Sequence, residues 1–238
     1  MSAAAPFDFA GQRFQMLAGR ALFWPRHDAL IVADLHLEKA SWYAARGQPL
    51  PPYDSHDTLD RLAALAAHMR ARAIWCLGDS FHDRDAAARV VPAVADRLAR
   101  QAQSAALVWI AGNHDGISAG QWGGTVADEL VIDGIVFRHQ AARDEVRPEI
   151  SGHFHPKLRS HIRGRQVARA CFVGDHRRLI LPAFGSLTGG LAVEDPAIAD
   201  NFAGPYRAML VAAGRRLDFP CSGRAADDAT ARPATAVR

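Results

Sequence analysis

The feature of the sequence that most constrains the fold is a series of short, mostly apolar runs that end in polar clusters, five of which place Asp, Asn or His within two residues of the run. Runs of this length, bounded by Asp, Gly, Pro or Asn, are typical of buried strands. The polar groups that follow five of these runs are Asp34 with His36, Asp79, Asn113 with His114 and Asp115, His139, and His153 with His155. Since the carboxyl ends of parallel strands share one edge of a sheet, we expect these distant groups to converge.

The apolar runs, together with two amphipathic stretches, predict an α/β protein. Apolar residues recur every three or four positions in Asp57–Arg72 and Asp85–Gln103, as in helices that pack on a sheet, and Pro92 is expected to divide the second stretch. The first half alternates strands with helices, which indicates parallel strands, whereas residues 130–215 are rich in strands. We therefore predict a layered sheet sandwich with helices outside. The predicted strands are Ala21–Trp24, Ala29–Ala33, Ala73–Leu77, Ala105–Ala111, Leu130–Phe137, Val167–Val173, Leu179–Leu181 and Ala208–Ala212.

The composition excludes several classes of protein. Of the 238 residues, 49% are hydrophobic and 22% are charged, which excludes disorder over most of the chain. No apolar run approaches the ~18 residues of a membrane span, and the first residues do not resemble a signal peptide. Three cysteines without a CxxC spacing argue against a disulfide framework or a thiolate zinc site, so we expect a cytoplasmic protein.

The chain is predicted to form a single domain over residues 1–220, because no repeat or linker divides it. Residues 221–238 consist mainly of Ala, Arg, Asp and Thr, with little to bury, and are predicted to be a disordered C-terminal tail. The sequence leaves open whether the chain forms a homodimer.

The spacing of two motifs supports convergence on one small volume. In Asp34-x-His36 and His153-x-His155, alternate residues of an extended segment would point the same way. Glycines beside three of the five groups would let the backbone turn tightly next to a ligand.

The chemistry of these groups indicates a centre of two divalent metal ions. Carboxylate, imidazole and amide ligands without a thiolate fit Mn²⁺, Fe or Zn²⁺. Two ions about 3.5–4 Å apart share a ligand, and Asp79, which is central in the series, is predicted to bridge them. Such ions would activate a water and clamp a phosphoryl oxygen. One ion is assigned to Asp34, His36, Asp79 and His155, and the other to Asp79, Asn113, His139 and His153.

The candidate catalytic residues are His114 and Asp115, which follow a predicted ligand. His114 could protonate the leaving oxygen or stabilise charge in the transition state, and Asp115 could orient that imidazole. His139 is chosen by its position at a strand end, and an ordinary core histidine is the alternative. His82 and Asp83 either line the site or lie on the surface.

The ordered blocks D-x-H, GD, GNHD, an isolated His and GHxH resemble the pattern of the calcineurin-like metallophosphoesterase superfamily. They span about half of the chain, from Asp34 to His155. The resemblance implies a two-sheet β-sandwich flanked by helices, the same allocation of ligands to two ions, and phosphoester hydrolysis. It does not specify the substrate, since this kind of site acts on proteins, nucleotides, lipids and nucleic acids.

Three segments look like the ligase-associated DNA-damage-response endonuclease family. These segments are Asp34–Ser41, Ile150–Pro156 and Pro182–Gly190. This resemblance implies a bacterial, manganese-dependent endonuclease that acts in DNA repair and is linked to a ligase and a helicase. The sequence His139-Gln140-Ala141 departs from the His-Glu-Pro that the family often has.

Two other functions are kept as alternatives. A small-molecule phosphodiesterase or phosphomonoesterase of the same fold would use the same ligands. A non-catalytic scaffold would have lost some of them, whereas here the series is complete and His114 is present.

The basic residues are unevenly distributed along the chain. The net charge is only +3, but residues 156–178 carry seven basic residues and one acid, Asp175. This stretch follows His155 directly, and it could either bind phosphates beside the site or form a solvated hairpin. Lys39 likewise could contact a phosphate or be a solvated lysine at a helix start. The seven basic residues are Lys157, Arg159, Arg163, Arg165, Arg169, Arg177 and Arg178.

Overall fold

A computed structural model of the chain describes residues 3–113, 117–162 and 164–223. Two seven-stranded sheets dominate this part of the chain. The first sheet has the order β1 (Ala4–Phe9), β2 (Gln12–Leu17), β3 (Ala21–Trp24), β4 (Ala29–Ala33), β5 (Ala73–Leu77), β6 (Ala106–Ile110) and β7 (Thr125–Ala127). The second has the order β16 (Arg215–Cys221), β15 (Tyr206–Ala212), β13 (Phe172–Gly174), β14 (Arg178–Ile180), β10 (Glu149–Ser151), β9 (Ile135–Phe137) and β8 (Leu130–Ile132). A separate antiparallel pair is formed by β11 (Lys157–Ile162) and β12 (Arg165–Ala170).

The helices lie in the connections between strands. They are α1 (Lys39–Ala44) and α2 (Asp54–Met69) between β4 and β5, α3 (Pro92–Ser104) between β5 and β6, and the short α4 (Pro196–Ala199) before β15. Three 3₁₀ helices cover Pro25–His27, Ala86–Arg89 and Ile117–Trp122. Of the helices in the described ranges, none combines the length and apolar character that crossing a membrane requires.

Strand direction determines where the polar groups of the sequence lie. Strands β4, β5, β6 and β7 are parallel, since helical crossovers return the chain to the same edge. Strands β9, β10 and β14 are parallel within the second sheet. A parallel bridge between Ala33 and Ala183 joins the carboxyl end of β4 to the segment after β14. The carboxyl ends of the parallel strands of both sheets therefore meet at one side of the protein.

The core is layered. Trp24, Trp75 and Phe137 pack together between the two sheets, with ring centroids of Trp75 and Phe137 5.0 Å apart. Leu62 of α2 and Leu98 of α3 cover the other face of the first sheet. A third apolar cluster that includes Val173, Tyr206 and Ile198 covers the other face of the second sheet. This arrangement confirms the predicted α/β class with a two-sheet sandwich and helices outside.

Several predicted elements differ from those observed. The prediction of one strand over Leu130–Phe137 is wrong, because Asp133 and Gly134 adopt positive φ angles and turn the chain between β8 and β9. Val167–Val173 is also divided, and its two parts belong to different sheets. Strands β1, β2, β11 and β16 were not predicted, since each alternates or carries polar residues instead of forming an apolar run.

The helix predictions are close to the observed bounds. Asp57–Arg72 corresponds to α2, which begins and ends three residues earlier, and Asp85–Gln103 is divided ahead of Pro92, at the start of α3, as expected. The proposed tail boundary at residue 221 falls inside β16, and residues 224–238 of that tail lie outside the described residues.

Candidate metal centre

The predicted ligands lie on loops that follow parallel strands of two different sheets. Asp34 and His36 follow β4 and Asp79 follows β5 in the first sheet, whereas His139 follows β9 and His153 follows β10 in the second. Backbone hydrogen bonds join these loops, from His36 N–H to the Asp79 carbonyl (2.9 Å) and from Gly152 N–H to the His139 carbonyl (2.8 Å). The loops of the two sheets are joined in turn by the His153 N–H, which donates to Asp34 Oδ2 at 2.8 Å, so the candidate centre lies where the two sheets meet.

Asp34, His36 and His155 form the first of two potential metal-binding groups. The Nε2 atoms of His36 and His155 face each other at 3.2 Å, and His155 Nε2 lies 3.6 Å from Asp34 Oδ2. Nitrogens bound to one ion at about 2.1 Å would be about 3.0–3.4 Å apart. The spacing of these two imidazoles thus fits a shared ion.

Asp79, His139 and His153 form the second group. Nδ1 of His153 lies 2.9 Å from Nε2 of His139, which is 3.6 Å from Asp79 Oδ2. Burial lowers the pKa of the His153 imidazole and the neighbouring His139 lowers it further, although Asp34 and Asp79 act in the opposite direction. A lowered pKa favours the neutral imidazole, which is the form that binds metals.

The two groups are in contact through Asp79. Its Oδ2 lies 3.6 Å from Nε2 of His139 in its own group and 4.0 Å from Nε2 of His36 in the other. Oδ1 of Asp34 and Nδ1 of His139 are buried and face each other at 3.5 Å, just beyond a hydrogen bond. This contact joins a candidate ligand of the first group to one of the second, while Oδ2 of Asp34 and Nε2 of His139 face the other members of their own groups. Taken together, the donor types, spacing and burial fit divalent ions.

The backbone of the two motifs is not extended, contrary to the prediction. The structure has Asp34, His36, His153 and His155 at positive φ, between 45° and 73°, and Asp79 at 40°. Non-glycine residues rarely adopt this conformation, and clusters of it are typical of functional sites. The strands end before each motif, so alternating left-handed residues, rather than a pleat, turn the paired side chains inward.

The absence of a side chain at Gly78 makes room for His139 of the second group. A Cβ on this residue would lie 2.0 Å from Nδ1 of His139, and its φ of +69° is one that L side chains rarely adopt. The GD motif therefore needs glycine because His139 occupies the space of a side chain.

The GNHD block is only partly described. A Cβ on Gly112 would lie 2.4 Å from Asp79 Oδ1, which brings the start of the block against the predicted bridging carboxylate. Asn113, the next residue, is exposed. The predicted catalytic residues His114 and Asp115 lie outside the described residues.

His82 and Trp42 are site neighbours that the ligand predictions did not include. The ring of His82 packs edge-on against His36 at 5.7 Å and against Trp42 at 5.0 Å. Asp83, the next residue, pairs with Arg89 instead of lying free on the surface. His82 follows Asp79 by three residues in the GDSFHD segment, which is the signal that could have placed it near the ligands.

The basic stretch after His155 does not act as one unit. Arg178 is buried, and its guanidinium donates to Glu149 and to the carbonyl oxygens of Asn201 and Ala142. The prediction that the stretch could bind phosphates therefore does not hold for Arg178, because its donors are already satisfied inside the protein. Arg163 lies outside the described residues.

Comparison with known proteins adds to this geometry. The model of the calcineurin-like phosphoesterase family matches residues 28–167, which contain all the predicted ligands. The chain is similar to the crystal structure of Pseudomonas putida nuclease MPE, with 31% identity, a TM-score of 0.71, and coverage of 91% of this chain and 100% of that one. Yfce, a phosphoesterase from E. coli, is 14% identical with a TM-score of 0.41, over 76% of this chain and 86% of that one. Among curated proteins, none is significantly similar to this chain.

Proposed function

Because the chain belongs to the calcineurin-like phosphoesterase family, we propose that it is a two-metal phosphodiesterase that cleaves DNA as an endonuclease. The family identifies a hydrolase of phosphoesters. The preference for a diester in DNA is supported by the likeness to a Pseudomonas putida nuclease over 91% of the chain.

The observation that carries the proposal is the position of Asp79 between two groups of ligands. Its Oδ2 faces an imidazole of each group at 4.0 Å or less. We assign one ion to the first group with Asp79, and the other to the second group with Asp79 and Asn113. Bridging by one carboxylate is how paired ions about 3.5–4 Å apart are held.

Different residues of the chain are proposed to have different roles in hydrolysis. When bound, two divalent ions would supply an activated water and neutralise charge on the phosphoryl group. His114 is proposed to donate a proton to the leaving oxygen, and Asp115 to hold the tautomer of His114. His82, packed on His36, is placed to restrain the orientation of that ligand.

The ion, the compartment and the partners are part of the same proposal. We propose Mn²⁺ as the resident ion, with Fe or Zn²⁺ as alternatives that the same oxygen and nitrogen ligands accept. We also propose that the protein acts in DNA repair in the cytoplasm, together with a ligase and a helicase. The three free cysteines are compatible with a reducing compartment.

The proposal is tested with a panel of substrates and metals. Metal-free protein is reloaded with Mn²⁺, Zn²⁺ or Mg²⁺ and assayed on p-nitrophenyl phosphate, bis(p-nitrophenyl) phosphate, single-stranded DNA and nicked plasmid. We expect cleavage of DNA and of the small diester with Mn²⁺, with two ions per chain by mass spectrometry of the metals. In Asp79→Asn, we expect both metal sites to be only partly occupied and cleavage to be lost as well.

Two results would contradict the proposal. Efficient hydrolysis of the monoester without cleavage of DNA would replace the nuclease with a small-molecule phosphoesterase. Unchanged metal content and hydrolysis in Asp79→Asn would show that the site assignment is wrong.

A further inference from the structure

The hairpin of β11 and β12 belongs to neither large sheet and begins two residues after the ligand His155. Its base is fixed, because Lys157 forms a bridge with Ala192 and Leu158 packs against the third apolar cluster. Four of its basic residues are described, and none of the four forms an ion pair with a described residue. They are Lys157, Arg159, Arg165 and Arg169.

The register of the hairpin divides these four residues between its two faces. Lys157 and Arg159 are two positions apart on β11 and lie opposite Ala170 and Ala168. Residues paired across antiparallel strands point to the same face, so these two cations share a face with two small side chains. On the opposite face, Arg169 is paired with Leu158 and Arg165 with Ile162.

Lys157, on the first of these faces, contacts a loop that packs on the candidate ligand segments. Nζ of Lys157 donates to the carbonyl oxygen of Thr188 at 3.3 Å. The loop that contains Thr188 is packed on the ligand segments, since a Cβ on Gly190 would lie 2.2 Å from the His155 carbonyl oxygen and one on Gly185 would lie 2.2 Å from the Leu35 carbonyl oxygen. The ammonium group of Lys157 is thus held at the edge of the centre.

Lys39 adds a further cation at this edge. It lies three residues after His36, at the start of α1, and it is half-buried. Burial lowers the pKa of its ammonium group, and the charge of Lys157 lowers it further against the effect of Asp54. The charges of Lys39 and Lys157 are thus close enough to act on each other, and Asp54 offsets part of the charge of Lys39. Lys39 and Lys157 are the two lysines of the whole sequence.

We propose that Lys157 and Arg159, on one face of the β11–β12 hairpin, hold the DNA phosphate backbone beside the metal centre. This inference rests on the proposed function, and it assigns the substrate's path to one side of the site. An extended polyanion bound at the metals continues past them, and cations without carboxylate partners lose little on binding it. The opposite face, with Arg165 and Arg169, does not contact DNA.

The test compares two double variants that remove the same charge from opposite faces. They are Lys157→Ala with Arg159→Ala, and Arg165→Ala with Arg169→Ala. In the first double variant, we expect kcat/KM on DNA to fall about tenfold relative to kcat/KM on bis(p-nitrophenyl) phosphate. We also expect the slope of log KM for DNA against log salt concentration to fall by about two, because two phosphate contacts are lost. The second is expected to keep both values, and Arg159→Gln at its exposed position repeats the test if the first double variant unfolds.

Each remaining result counts against the inference. Equal losses in the two double variants would show that net charge, not this face, attracts DNA. An unchanged ratio in the first variant, with a wild-type enzyme that cleaves DNA, would overturn this inference and leave the proposed function intact. A wild-type enzyme that hydrolyses the small diester but no DNA would overturn the nuclease proposal, and this inference with it.

Discussion

The carboxylate of Asp34 accepts a hydrogen bond from the backbone N–H of His153 at 2.8 Å, although the two residues are 119 positions apart. Asp34 follows a strand of the first sheet and His153 follows a strand of the second. This hydrogen bond therefore ties the first ligand motif to the last. Asp34 consequently has a structural role as well as a place in a potential metal-binding group, and substitution can separate the two.

Asp34→Asn and Asp34→Ala are expected to differ in stability but not in metal loss. Asparagine keeps an oxygen that can accept the His153 N–H, whereas alanine leaves this N–H without its partner at a cost of about 1–3 kcal/mol. Both lose a negatively charged ligand and should lose bound metal. Urea unfolding of both variants in chelator measures the difference, and equal stabilities would show that the hydrogen bond contributes nothing.

Gly78→Ala is expected to disrupt the second ligand group. The added methyl group would overlap His139, which must move, so we expect metal affinity to fall about 10–100-fold, as when the support of a ligand is lost. Gly134→Ala is the matched control, because Gly134 has φ +79° but a Cβ added there would meet nothing within 4 Å. It should cost about 1 kcal/mol of stability and leave metal binding unchanged. Titration of both variants with Mn²⁺ measures their metal affinities. Equal affinities would contradict the requirement for glycine at position 78.

Removal of metal is expected to destabilise the protein. Four imidazoles and two buried carboxylates converge in the two groups, and an ion present at 100 times its Kd stabilises the folded state by about 2.7 kcal/mol. For a chain of this size this corresponds to a fall in Tm of about 5–10 °C in chelator. Asp79→Asn should show a much smaller difference between the two conditions. A wild-type Tm that is the same in chelator and in excess Mn²⁺, Fe²⁺ or Zn²⁺ would argue against the centre.

Arg178→Met is expected to destabilise the fold by about 3–5 kcal/mol, because it removes the nearer charge partner of the buried Glu149, leaving Arg138 at 3.8 Å, and the donor to the carbonyl oxygens of Asn201 and Ala142. Because Glu149 is fully buried, the pKa of its carboxyl is raised despite hydrogen bonds from the Ala142 N–H and Arg178. Arg177→Met, one residue away and partly exposed, is the control and should change stability by less than about 1 kcal/mol. Similar free energies of unfolding for the two variants, measured by urea denaturation, would show that the buried Arg178–Glu149 pair does not stabilise the second sheet.

The positions of the candidate ligands at the ends of strands could be predicted from the sequence because most of these strands are apolar runs, and that pattern is local. The way in which these side chains are brought together could not be predicted. Asp34 and His36 share one group through left-handed backbone, not through the alternation of a strand, and His153 and His155 belong to different groups. For a similar reason the sequence does not decide whether His82 lies in the site or on the surface, since its contact with His36 depends on how two loops pack.

The local pattern of apolar runs and polar ends was sufficient to identify the α/β class, the candidate ligands and the chemistry that they suit. Strand periodicity and side-chain chemistry are properties of neighbouring residues, so they can be read along one chain. The tertiary structure alone decided that the candidate ligands come from two sheets, that Arg178 is buried while Arg159 is exposed, and that Lys157 donates to the carbonyl oxygen of Thr188, in a loop packed on the His155 backbone. Those features depend on long-range packing and strand register, which place residues from distant parts of the chain together and determine which face each cation occupies.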